Sequence, residues 1–181
     1  MRSHLLTGTL MSDAGILPRR STSSDERVKL TEPAVSVMND FAREFPVTAD
    51  EDRQIDAALA DMIRLGVRAL LVMRERRVVG FITSYDIEGE RPIQSIQRLN
   101  YAHRLDIQVG DVMTRWAELQ TLNWRAVKVA TAGSLLEAFQ ETGLMHLLVV
   151  ETTSDAATSV RGLFSRTRLD RQLGLLPAMS A

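Results

Sequence analysis

The apolar run and turn VVGFITSYDI at residues 78–87 returns as VRGLFSRTRL at 160–169, so the chain spells one small unit twice. Other segments recur in the same order. LGVRALLVM at 65–73 is answered by TGLMHLLVV at 142–150, and SVMND at 36–40 by DVMTR at 111–115. The spacing drifts only across surface turns, RERR at 74–77 against the longer ETTSDAATS at 151–159, because exposed connections tolerate insertion and strands do not. Duplication is a strong constraint: whatever the first copy folds into, the second must match. Halves of about 60 residues bury too little apolar surface to be comfortable alone, so the two are expected to share one globule.

Within the first copy, Ala58, Leu59, Met62 and Leu65 fall on one face of a helix over 57–66, ended by Gly66. Ala69–Met73 and Val78–Ile82 read as buried strands joined by the charged turn. Thr83 or Ser84 then caps a short helix, with Asp86 and Glu88 favourable in its first turn. The second copy repeats the order with Leu135, Leu136, Phe139 and Gly143, then Leu144–Val150, Val160–Phe164 and Ser165. A short strand is expected before each unit, near Phe45–Thr48 and Ala126–Val129. The class is therefore α/β of the α+β type, built from two β-α-β-β-α repeats. The expected division is a flexible leader over 1–30, repeat one over 31–90, a linker helix over 91–108 carrying Ile93, Ile96, Leu99 and Leu105, repeat two over 109–176, and a tail over 177–181.

Composition narrows the function. With 22 basic and 23 acidic residues the net charge is −1, which implies no bulk polyanion as partner. There is no cysteine, which removes disulfides and thiolate metal sites and is compatible with a reducing cytoplasm. No apolar stretch approaches the ~20 residues of a membrane helix. His4, His103 and His146 are too scattered for a metal site. Phosphate-loop, dinucleotide and nucleophile-elbow motifs are lacking, and the expectation is a protein without catalytic activity. Trp116 and Trp124 read as core or interface anchors.

The repeated pieces VMND and VMTR, GVRALLVM and GLMHLLVV, and GFITSYDI and GLFSRTRL resemble a pair of CBS domains, the cystathionine-β-synthase-type repeat that forms a Bateman module. The resemblance runs from about residue 33 to 174. It implies two units about a pseudo-twofold axis and two clefts between them that often bind adenine nucleotides. In ligand-binding members an Asp in the closing motif holds the ribose hydroxyls, and the Ser or Thr three residues earlier approaches phosphate or sugar. Carried over by position, a first cleft uses Gly80, Thr83 and Asp86 with Leu144, Met145 and His146 from the other copy. A second cleft uses Ser165 with Val67, Arg68 and Ala69, but Arg168 stands where its acid belongs, so it is expected to be degenerate.

The chemistry supports those roles. A ribose offers two adjacent hydroxyl donors, which the two oxygens of a carboxylate such as Asp86 accept together. A guanidinium accepts nothing, so Arg168, with His146, is expected to reach phosphates in the first cleft. The bland alternatives are Asp86 as a helix first-turn residue, Thr83 as a plain N-cap, His146 as an ordinary strand residue and Arg168 as a solvated one. The leading expectation is a regulatory module that needs no cofactor and binds AMP, ADP or ATP. It signals to an unidentified effector protein as a cytoplasmic homodimer joined through helices that expose Leu59, Met62 and Ile63. One rival is a ligand-free interaction scaffold. The other is a nucleic-acid binder using Arg74, Arg76, Arg77 and the Arg161–Arg171 cluster.

Overall fold

The computed structural model describes residues 27–152 and 158–176. The leader up to residue 26, the tail from 177 and the centre of the 151–159 turn lie outside the described residues. In chain order the elements are β1 Asn39–Asp40, β2 Thr48–Asp50, α1 Ile55–Leu65, β3 Ala69–Arg74, β4 Arg77–Thr83, α2 Ser84–Glu88 and α3 Arg91–Leu99. Then come α4 Val109–Val112, β5 Thr114–Arg115, β6 Thr121–Asn123, α5 Trp124–Val127, α6 Ala132–Thr142, β7 His146–Thr152, β8 Thr158–Ser165 and α7 Arg166–Gln172.

The helix-strand-strand-helix order follows from local chemistry. Gln54 and Thr131 accept the backbone N–H of Ala57 and Ser134 and so start α1 and α6. Gly66 and Gly143, at φ 67° and 66°, end them in the left-handed conformation that costs glycine least. Met62 and Phe139 occupy the same position in the two helices, and each is 1% exposed. Met62 is thus a core residue and not the dimer-surface residue expected of it, whereas Ile63 beside it stays exposed.

Three expectations are corrected. Ala126–Val129 is not a strand: Asn123 accepts the N–H of Arg125 at 2.9 Å and turns the chain into α5, and the strand lies upstream at Thr121–Asn123. Only Thr48 of Phe45–Thr48 is in a strand, and Phe45 is fully exposed. The helix expected over 91–108 stops at Leu99 with Asn100 in the left-handed region, and a single 3₁₀ turn follows at Arg104–Asp106. That helix turns Pro92 and Ser95 inward and leaves Ile93 and Leu99 exposed.

The sheets are assembled by exchange. β2, β3, β4 and β5 form one sheet, and β1, β8, β7 and β6 the other. The strand that opens the second repeat, β5, therefore completes the sheet of the first, pairing Gly80 with Arg115 and Phe81 with Thr114. The strand that opens the first repeat, β1, completes the sheet of the second, pairing Asn39 with Leu163 and Asp40 with Gly162. The glycines of GFIT and GLFS make this possible. A Cβ at Gly80 would lie 2.5 Å from Met113 Sδ and 2.7 Å from the Thr114 carbonyl oxygen; one at Gly162 would lie 2.6 Å from the Asn39 carbonyl oxygen and 2.8 Å from Met38 Sδ.

The cores follow the same exchange. Ile107, Val109, Val112 and Met113 pack with Ile55, Met62, Val72 and Ile82. Ala34, Val37 and Met38, with Val28 beside them, pack with Phe139, Leu147, Phe164 and Leu169. Residues 31–40, expected to open the first repeat, thus lie on the second, as do Val28 and Leu30 from the expected leader; Ala34 donates to the Ala130 carbonyl and Gly133 to that of Leu30. The halves meet along a seam of Leu71, Phe81 and Leu148.

Candidate functional site

Beside that seam a cleft of about 370 Å³ opens between the halves. One wall is Asn39, Phe41 and Glu44–Val47, and a second is the turn Gly66–Ala69 between α1 and β3. The third is the end of β8 and start of α7, contributing Ser165, Thr167, Arg168 and Arg171, while Leu71, Phe81, Met145 and His146 extend the apolar side. The hydrogen bond from Ser84 N–H to the Arg68 carbonyl, and its counterpart from Arg166 N–H to the Met145 carbonyl, fix these turns against the helices that follow β4 and β8.

All four residues assigned to the second, supposedly degenerate cleft, Val67, Arg68, Ala69 and Ser165, line this opening. Of those assigned to the first cleft, Met145, His146 and Arg168 line it too, whereas Gly80, Thr83, Asp86 and Leu144 do not. Arg168 therefore belongs with the cleft of its own motif. Sequence reasoning missed Asn39, Phe41, Tyr85 and Arg171. Arg171 had a signal, since it lies one helical turn after Arg168. Asn39 had none, because its place depends on the strand exchange.

Asp86 is committed within its own half. Its Oδ2 accepts the Thr83 N–H at 2.8 Å and the Thr83 hydroxyl at 2.7 Å, and Thr83 Oγ1 accepts the Asp86 N–H at 3.3 Å, a reciprocal cap on α2. Its Oδ1 is 3.1 Å from Arg91 Nη1. Arg91 also donates to the Val112 carbonyl at 2.8 Å and to Thr114 Oγ1 at 3.1 Å, which ties α3 to the borrowed strand. Gly80 serves the close crossing of that strand.

Electrostatics in the open cleft differ. Arg168 Nη1 donates to Asn39 Oδ1, and its Nε is buried without an acceptor. Burial lowers the Arg168 pKa, and Glu44 counters that shift. Burial also pushes the His146 imidazole down to about 4, with Asp86 pulling the other way, so the ring is neutral at pH 7. It lies edge-on to Phe81 at 5.8 Å, and its Nδ1 is buried without a partner. Ser165 precedes α7 but makes no side-chain capping bond, which leaves its hydroxyl uncommitted to the helix. Much of the arginine charge elsewhere is already paired: Arg74 with Glu51, Arg161 with Asp40 and Arg166 with Asp170. Arg161 also stacks 4.7 Å above the Trp124 ring. Among the described residues no cluster of His, Asp or Glu is arranged to hold a metal ion, and no helix is long and apolar enough to cross a membrane.

Two exchanged sheet-and-helix halves with a cleft beside their seam define a tandem-repeat module. Residues 37–90 match the CBS domain family model, and in fold the chain is a tandem CBS-domain pair. It is similar to an uncharacterized conserved protein from Pyrococcus horikoshii, at 22% identity and a TM-score of 0.57, covering 85% of this chain and 100% of that one. It is also similar to CBSX2, a CBS-pair protein of Arabidopsis thaliana, in complex with AMP, at 20% identity and a TM-score of 0.54, covering 78% and 94%. A third likeness is to the CBS domain pair of protein MJ0100 in complex with 5′-methylthioadenosine and S-adenosyl-L-methionine, at 18% identity and a TM-score of 0.51, covering 76% and 96%. No curated protein is a significant match.

Proposed function

We propose that this protein is a regulatory module that binds an adenosine-containing nucleotide in the open cleft between its repeats and reports occupancy by shifting the angle between them. The observation that carries this reading is the cleft itself. Its volume of about 370 Å³ falls in the range of small-molecule sites, which combine apolar walls with a few convergent polar groups. Phe41, Phe81, Val67 and Ala69 offer apolar surface for a base, and Ser165, Thr167 and the arginines offer donors. The AMP and S-adenosylmethionine complexes of the similar folds support the same ligand class. A ligand moves the halves only by binding one arrangement better than the other, and a cleft walled by both halves is placed to do so.

The module acts as a cytoplasmic homodimer that passes its state to an effector protein. In support, Ile63 and Leu65 on α1 and Tyr85 on α2 are exposed apolar residues on neighbouring helices, with Ile63 74% exposed. A ligand-free scaffold is the second reading, favoured by the commitment of Asp86 to Thr83 and Arg91. Calorimetry with AMP, ATP and S-adenosylmethionine separates the two. One site per chain is expected, and Asp86→Ala should leave affinity within about twofold, a change of roughly 0.4 kcal/mol. No heat from any of the three would favour the scaffold, and abolition of binding in the variant would return the site to Asp86.

A further inference from the structure

Taking as given that a nucleotide occupies the open cleft, we infer that the cleft holds its ligand by the phosphoryl groups, through Arg68, Arg168 and Arg171, and not by the ribose hydroxyls. The ligand class is a nucleoside di- or triphosphate, accepted with or without a 2′,3′-diol.

Charge is the first support. Three guanidiniums line the cleft against one carboxylate, that of the exposed Glu44. Arg161 and Arg166, both shortly before Arg168 in sequence, are paired with Asp40 and Asp170, but among the described residues Arg68 and Arg171 have no ion-pair partner. A cationic concavity with low-dielectric walls concentrates anions. Arg168 adds direction: Asn39, from the exchanged strand, accepts from its Nη1 and leaves Nε buried without an acceptor. A buried donor with nothing to donate to is unfavourable, and an anionic oxygen supplies the acceptor.

The second support is the lack of an acceptor for a diol. At the position where the first motif has Asp86, the second has Arg168, and a guanidinium accepts no hydrogen bond. Asp86 is not a substitute, because both its oxygens are engaged by Thr83 and Arg91. Glu44 acts on Arg168 as a counter-charge.

Calorimetry on the full chain tests the inference with ATP, 2′,3′-dideoxy-ATP, adenosine and inorganic triphosphate. ATP and its dideoxy analogue should bind within about threefold of each other, triphosphate should compete with ATP, and adenosine should bind at least about thirtyfold more weakly. Added salt should weaken ATP binding. Arg68→Ala and Arg171→Ala should each weaken ATP by about tenfold with an unchanged melting temperature, which separates lost binding from lost folding. Adenosine binding as tightly as ATP, or affinity lost with the diol, would overturn the inference while leaving the adenosine reading in place. Triphosphate binding as well as ATP would uphold the phosphoryl grip but overturn the nucleoside class together with the adenosine reading; silence from all four would remove both.

Discussion

At the matching position three residues after the last long strand, the first half carries Asp86 and the second Arg168, and each is tied to the strand borrowed from the other half. Arg168 reaches Asn39 of β1 directly. Asp86 reaches Thr114 of β5 through Arg91, whose guanidinium touches both. The carboxylate side is thereby satisfied from within, its acceptors filled by a cap and a cation. The guanidinium side keeps an unanswered donor and lines the cleft of about 370 Å³. The arginine that reads in sequence as decay stands in an accessible cleft, because closing a carboxylate takes one nearby arginine, whereas the three guanidiniums of the cleft, Arg68, Arg168 and Arg171, face one carboxylate, Glu44.

The comparison can be broken first at the cores. Phe139→Ala removes the larger of two equivalent buried side chains and should cost about 3–5 kcal/mol, against about 2–5 kcal/mol for Met62→Ala in the other half. Because each sheet contains a strand from the other repeat, both variants should still unfold in one transition by circular dichroism and tryptophan fluorescence. Two separated transitions would show the halves to be independent.

A smaller effect distinguishes the halves by pH. His146 in the second half corresponds to Ala69 in the first. Unfolded, the imidazole takes up its proton near pH 6.5; folded, burial delays this to about 4, even though Asp86 favours the charged form. Between those values the unfolded chain binds more protons, so stability falls as pH falls, by at most roughly 1.4 kcal/mol per pH unit from this group. Denaturant melts from neutrality down to about pH 5 should be flatter for His146→Ala than for the parent, and equal slopes would remove the assignment.

The smallest difference between the halves is expected at the strand crossings. Gly80→Val and Gly162→Val each drive a side chain into a neighbouring carbonyl oxygen and methionine, an overpacking that costs about 1–3 kcal/mol. Similar losses at the two sites, read as shifts in denaturation midpoint, are expected from matched crossings; a loss at one alone would show that the exchange matters to one half only.

The repeat, the order of elements and the fold class were legible because apolar periodicity and Gly66 and Gly143 are local signals, and the family resemblance joined them. Ala126–Val129 misled because a short apolar run fits a strand or a helical turn equally, and only the Asn123 cap decides. The exchange of β1 and β5 was invisible, since two-residue strands carry no pattern and their partners lie far along the chain. At the cleft, Val67, Arg68, Ala69 and Ser165, grouped by position in the sequence, line one opening. The engagement of Asp86 was half visible: its cap with Thr83 is a three-residue spacing, but its ion pair with Arg91 required knowing where α3 begins.

The exchange also bears on how such a chain is assembled. A polypeptide carrying one repeat alone would present a bare sheet margin with a glycine notch and no strand of its own to fill it, but it would hold the strand that a second copy needs. Two such molecules would complete one another only at sufficient concentration, whereas fusing them end to end makes each half the other's permanent neighbour. Joining the repeats in one polypeptide thus turns a dilution-sensitive association into an intramolecular one, and frees the two copies to diverge at a residue as consequential as Arg168.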